Sequence, residues 1–149
     1  MDVRSERLLD LPVERLQRVL LRGAQAWVPN LDEDEAGGLL TEVGVGSAGA
    51  WLGRRVTLWV GEAAAGPDGC AVPITWRAER RPERYPQLRG VLELTPATWH
   101  RTWLVLRATY RPPGGVIGEL ADRAALHRVA EATVRGFVER AAWVLERAA

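Results

Sequence analysis

The chain has 149 residues, of which 47% are hydrophobic and 26% charged, and its formal net charge is +1. That is enough material for one real core, and the near-neutral balance gives no overall electrostatic case for nucleic acid or an anionic membrane. Every basic residue but the two histidines is arginine, which removes Schiff-base, P-loop and general-base lysine chemistry, and the single cysteine, Cys70, allows neither an intrachain disulfide nor a cysteine zinc site.

Residues 1–7 contain no apolar signal core, and no run approaches the roughly 20 apolar residues of a membrane span. A cytoplasmic protein without a membrane span is therefore expected. Residues 3–9 form a candidate first strand. Asp10-Leu11-Pro12 then resembles a helix start, with Asp10 as N-cap and Pro12 in the first turn. Leu16, Val19 and Leu20 recur at helical spacing, with Gly23 as the stop. A second short helix over 24–28 ends at Pro29-Asn30. The acidic run Asp32–Glu35 reads as a solvated loop; it lacks the ligand spacing of an EF-hand.

From Leu39 the hydrophobic period becomes two. Strands are predicted over 40–46, 54–62, 70–79, 87–95 and 101–110. Val56, Leu58 and Val60 share one face of the second of these, and Val72, Ile74 and Trp76 one face of the third. Pro73 suggests an edge or a bulge there. Leu88, Leu92 and Leu94 share a face with Gly90. Leu104, Leu106 and Ala108 point inward on the last strand, with Trp103, Arg107 and Thr109 opposite. Gly66-Pro67-Asp68-Gly69 is a turn, and Pro96-Ala97 is expected to turn the chain. Turns rather than helices separate these runs, so the sheet is an antiparallel meander and the class is α+β.

Tyr110-Arg111-Pro112-Pro113-Gly114-Gly115 then stops the last strand. An apolar-periodic run from about Ile117 to Ala148 predicts one helix of roughly 30 residues, about 45 Å long. Its stripe carries Leu120, Ala124, Leu126, His127, Ala130, Val134, Phe137, Ala141, Val144 and Leu145. The small residues Ala130, Thr133 and Ala141 either bring the helix close to the sheet or leave space beside it.

The wording of the second half carries a resemblance. Val72-Pro73-Ile74-Thr75-Trp76, Tyr85-Pro86-Gln87-Leu88 before Leu92-Glu93-Leu94, the 110–115 segment, Asp122-Arg123, and the run 127–135 followed by Phe137 resemble bacterial START-like proteins. These form the SRPBCC or polyketide cyclase/dehydrase superfamily. The resemblance covers nearly all of residues 1–149 and implies a single helix-grip domain: two short helices, then a curved antiparallel sheet wrapped around a long C-terminal helix. It also implies an apolar cavity open at one end. The superfamily's ring-hydroxylase subunits with catalysis use a Rieske cluster and a mononuclear iron, and one cysteine with two histidines cannot supply those sites.

The expected function is non-catalytic binding or transport of an apolar or aromatic small molecule, lipid, isoprenoid or polyketide-like, between sheet and helix. The expected lining is Trp76, Leu92, Leu94, Leu104, Leu106, Tyr110, His127, Ala130, Val134 and Phe137. Phe137 and Trp76 filling that space would count against binding. The alternative is a cyclase or dehydratase in which His127 and Tyr110 supply acid–base groups; the plainer reading of His127 is a pairing with Glu131 one turn on. No metal site, cofactor or Ser/His/Asp arrangement is expected. Ser5 and Ser47 are the only serines, and the glycines at 44, 46, 49 and 53 suit a bend of a curved sheet rather than a dinucleotide loop. Asp122 and Arg123 suggest a local ion pair.

Six of the seven tryptophans divide into groups. Trp76 faces inward, and the resemblance puts Trp27 and Trp51 near the entrance. Trp143 falls at the helix flank. Trp59 and Trp103 fall on the outer strand face among Arg55, Arg77 and Arg107. That face supports cation–π stacks, a partner surface such as a homodimer through Trp59 and Trp103, or, least of all, a nucleic-acid platform.

Overall fold

A computed structural model of the chain describes residues 1–45, 52–79, 87–111 and 123–149, without the side chains of 45, 52–54 and 123. Ser47, Trp51, the charged segment 80–86, the Pro-Pro-Gly-Gly turn, Leu120 and Asp122 lie outside the described residues. The elements run β1 (Asp2–Leu9), α1 (Val13–Leu20), α2 (Ala24–Trp27), β2 (Asp32–Glu33), β3 (Leu39–Val45), β4 (Leu52–Val60), β5 (Ala64–Gly66), β6 (Gly69–Ala78), β7 (Gln87–Thr98), β8 (Arg101–Arg111) and α3 (Arg123–Ala148). The strands make one sheet in the order β1-β8-β7-β6-β4-β3-β2, with β5 beside β6. All its pairings are antiparallel. This is the α+β meander expected from the turn-separated runs.

Strand parity sets the two faces. Leu58, Trp76, Leu88 and Tyr110 lie side by side across four strands, and all four are buried. The next inward row is Ile74, Gly90, Ala108 and Val3, followed by Val72, Leu92 and Leu106, then Cys70, Leu94 and Leu104. The described part of α3 has 26 residues and spans about 39 Å. It packs against β1 at one end of the strand order and β3 near the other. The sheet therefore curls far enough for strands near both its ends to hold the same helix. Ala130, Val134, Phe137, Ala141 and Leu145 are fully buried, and Val138 and Ala142 widen the stripe. Ala130 and Ala141 bring α3 close to the sheet, whereas Thr133 is half-buried and donates its hydroxyl to the Val129 carbonyl oxygen.

Side chains from distant segments close the structure. Thr102 is fully buried and donates to the Leu11 carbonyl oxygen at 2.7 Å; Thr41 donates to that of Pro29 at 2.6 Å. Arg140 on α3 donates from Nη2 to the Glu42 carbonyl oxygen on β3 at 2.7 Å, and from Nε to the Gly136 carbonyl oxygen at 3.3 Å. Burial pushes its guanidinium below the ordinary arginine pKa, and the Glu42 carboxylate opposes that shift. Replacing Arg140 with methionine keeps the packing stem but removes a charged donor, and should cost about 1.5–3 kcal/mol. Urea denaturation checks this; an unchanged midpoint would show that the contact adds nothing.

Several local expectations are corrected. Asp10 does not cap α1: its carboxylate pairs with Arg101 at 2.9 Å, and the Pro12 carbonyl begins the helix. The acidic run is half strand, because Asp32-Glu33 pairs with Leu39-Leu40 as β2. Pro73 lies at the expected bulge rather than at a sheet edge: from the Val60–Ile74 pair to the Ala64–Ala71 pair the β4–β5 side takes four steps and β6 three, leaving one extra residue opposite it. The β4 ladder on β6 ends at Ile74 and the β5 ladder begins at Ala71, so the missing N–H falls where one neighbour gives way to another. Pro96 does not end β7, which continues through a register shift to Thr98. The three-residue β5 escaped prediction because Ala64-Ala65-Gly66 carries no strand signal. Among the described residues no helix is long and apolar enough to cross a membrane.

Candidate functional site

The concave side of the sheet and the inner stripe of α3 bring nine of the ten expected lining residues together as buried groups. Trp76, Leu92, Leu94, Leu104, Leu106, Tyr110, Ala130, Val134 and Phe137 are each 5% exposed or less. They do not play equivalent parts. Phe137 meets Trp76 with ring centroids 5.1 Å apart and a tilt of 49°. Trp27, from the four-residue α2, meets the same ring edge-on at 6.4 Å and 83°. Such offset and edge-on contacts suit the ring quadrupoles. Phe137 and Trp76 thus fill the space between them, the outcome that counts against binding there, so a ligand site would have to lie beside this contact rather than within it. Trp27 is a member of this cluster and only 1% exposed, whereas the resemblance put it near the entrance. No local periodicity could have placed it, because α2 is a single turn.

Tyr110 ends the row that contains Trp76 and Leu88. Its side chain is 5% exposed and stands in an apolar wall. Its hydroxyl takes no hydrogen bond among the described residues, where no enclosed side-chain oxygen or nitrogen lacks a partner. Burial pushes the phenol pKa up to about 12, so the group stays neutral and able to donate throughout the physiological range. Because the folded pKa is raised, the stability linked to the neutral phenol is complete below pH ~10 and is lost as pH rises toward 12.

His127 is not enclosed with the other nine. It lies one turn before Ala130 on the same helix stripe, and its side chain is 42% exposed. Its Nε2 stands 3.0 Å from Glu131 Oε1, the pairing that the i,i+4 spacing allows. His100 is exposed in the β7–β8 turn, with its ring 4.6 Å from that of Trp99. Among the described residues no three His, Cys, Asp or Glu side chains gather as a metal site.

Comparison with solved structures gives this arrangement a context. A conserved protein from Geobacillus kaustophilus superposes with a TM-score of 0.61 at 14% identity, covering 99% of this chain and 96% of the other. The Zhui aromatase/cyclase from Streptomyces sp. R1128 gives 0.54 at 17% identity, covering 99% and 93%. This chain has the helix-grip fold. Norcoclaurine synthase from Thalictrum flavum shares it, with a TM-score of 0.54 at 7% identity and coverages of 99% and 84%. No family model and no curated protein matches the sequence. Within the helix-grip architecture, the concave side and the clasped helix are the elements that place Tyr110, Phe137 and His127.

Proposed function

We propose that the chain binds an apolar or aromatic small molecule, lipid, isoprenoid or polyketide-like, between sheet and α3. The observation that carries this reading is Tyr110: a buried neutral phenol in an apolar wall, whose hydroxyl has no hydrogen-bond partner among the described residues. A concave site of this kind gains affinity from apolar walls and orientation from a few polar groups. The ligand would bring an acceptor, a carbonyl or hydroxyl oxygen, to the Tyr110 hydroxyl. Ala130 and Val134 would supply the helix wall, and the Trp76–Phe137 contact the floor. Leu92, Leu94, Leu104 and Leu106 lie deeper, two or three rows further along the sheet. The fold it shares with an aromatase/cyclase and a norcoclaurine synthase supports this reading without specifying a ligand.

Native mass spectrometry of the purified protein should reveal a co-purified molecule. Against that molecule, Tyr110→Phe should weaken binding about five- to tenfold while leaving the thermal midpoint nearly unchanged. Equal affinity in the variant would remove Tyr110 as the polar contact.

A second reading makes the site a cyclase- or dehydratase-type catalyst. His127 would act as general base at the rim, with Glu131 holding its ring, which the 3.0 Å contact favours. In the same experiment a His127→Ala protein that keeps both ligand affinity and product pattern would eliminate catalysis by this residue. Self-association through Trp59 and Trp103 is a further reading, since both are exposed on the convex face, at 46% and 37%. The register separates them by three strands and three pleat rows, roughly 25 Å, so an interface would have to be wide enough to include both.

A further inference from the structure

The convex face of the sheet carries a second feature, unconnected with the concave side. Arg4 on β1 lies directly opposite Arg107 on β8, and that row continues through Val91 to Pro73. The adjacent row runs Asp2, Thr109, Arg89, Thr75 and Trp59. Between the two rows lies an open depression of about 650 Å³, floored by Val91, Pro73 and the backbone of Gly90 and Ala108. Arg4, Arg89 and Arg107 line it, with Asp2 as the sole carboxylate in the lining.

Like charges placed directly across a strand pair repel. Glu6 approaches Arg4 at 2.8 Å and Glu93 approaches Arg107 at 3.5 Å. Both glutamates belong to the row on the far side of Arg4 and Arg107, away from Arg89. Arg89 itself has neither a hydrogen-bond nor an ion-pair partner among the described residues. Asp2 accepts the Thr109 hydroxyl at 3.2 Å. Glu6 and Glu93 thus pair Arg4 and Arg107 from one flank, while on the other Asp2 shares the row of Arg89 without forming an ion pair with it. Guanidinium groups present planar forks that match carboxylate and phosphate oxygens, and an apolar floor strengthens such contacts by excluding water.

We propose that this convex depression binds a small multivalent oxyanion, the phosphate or carboxylate groups of a small molecule, through Arg89, Arg107 and Arg4. The anion supplies a partner for Arg89, which has none among the described residues, and shares Arg4 and Arg107 with Glu6 and Glu93. The site stands on the opposite face of the sheet from Tyr110, so it holds or fails independently of the apolar pocket.

The test is an NMR titration of the full chain at low ionic strength, with inorganic pyrophosphate and, separately, citrate. The proposal expects saturable shifts confined to the amides of residues 89–91 and 107–109, with pyrophosphate and citrate deciding between phosphate and carboxylate. Arg89→Gln and Arg107→Gln should each weaken the affinity about fivefold, and Arg89→Lys less, because it keeps the charge but loses the fork. Arg22→Gln, far from the depression in an exposed turn, should change nothing. The substituted side chains are exposed, so matching thermal midpoints will confirm that the variants fold. Shifts spread over all arginines, an equal loss in Arg22→Gln, or binding of a single-stranded oligonucleotide but of neither small anion would each overturn the proposal.

Discussion

Phe137→Ala should cost about 3–5 kcal/mol, the largest loss expected from any single truncation on α3. Phe137 is fully buried and is the ring that both Trp27 and Trp76 touch. Removing it deletes the transfer energy of one aromatic side chain. It also leaves a cavity that two indoles, held by separate elements, cannot both collapse into. For a chain of this length each kcal/mol moves the thermal midpoint by about 3–4 °C, so a fall of roughly 10–20 °C is expected. Val144→Ala, on a half-buried position of the same helix, is the matched control and should cost about 1 kcal/mol or less. A small loss at Phe137 would mean that the cluster is loosely packed. The variant also bears on binding: if the pocket abuts this ring, the enlarged space should take up a bulkier apolar probe than the wild type does.

The second large effect falls on a glycine. Gly90 faces Ala108 across the β7–β8 ladder, two small residues side by side in an inward row. A Cβ at position 90 would stand 2.5 Å from the Arg107 carbonyl oxygen and 2.7 Å from the Ala108 Cβ. The first of these is backbone in the middle of a ladder and cannot swing away. The strands approach this closely because the sheet is strongly coiled, and glycine is the residue that permits it. Gly90→Val should therefore cost about 3 kcal/mol or more, or prevent folding. Gly66→Ala, where an added Cβ meets nothing within 4 Å, should be nearly neutral. A Gly90→Val protein as stable as the Gly66→Ala one would show that β7 and β8 can separate without cost.

Those two positions also show what the sequence makes legible. Alternation assigned the faces of β4, β6, β7 and β8 correctly, because a half-buried strand must place every second side chain in the core. The 3.6 period did the same for Ala130, Val134, Phe137, Ala141 and Leu145 on α3, but it counted the exposed Ala124 and missed Val138 and Ala142. Both patterns are local. They could not tell that Asp10 would prefer Arg101, about ninety residues away, to its own helix, or that Pro73 would fall where β4 hands over to β5. They placed Tyr110 and His127 in one lining, yet the structure buries the first and leaves the second 42% exposed beside Glu131. Periodicity fixes the face of a residue but not its depth along the element, and depth separates a buried side chain from an exposed one. Trp27 was beyond reach for a related reason. A single helical turn has no period to read, and its position depends on how the chain between β1 and β3 crosses α3.

The pairing of β1 with β8 governs how the molecule can assemble. Asp2 lies opposite Thr109, and the N-terminal amine donates to the Tyr110 carbonyl oxygen at 3.2 Å. During synthesis β1 is made before the rest of the sheet and stays unpaired until β8 appears. The meander can form hairpin by hairpin in the meantime, but its apolar face stays uncovered until α3 is released. Contacts separated by so much sequence make loop closure costly and folding slow. The interval between the synthesis of β3 and that of α3 is when this chain is most exposed to aggregation, and when a chaperone that shields an apolar sheet would matter most.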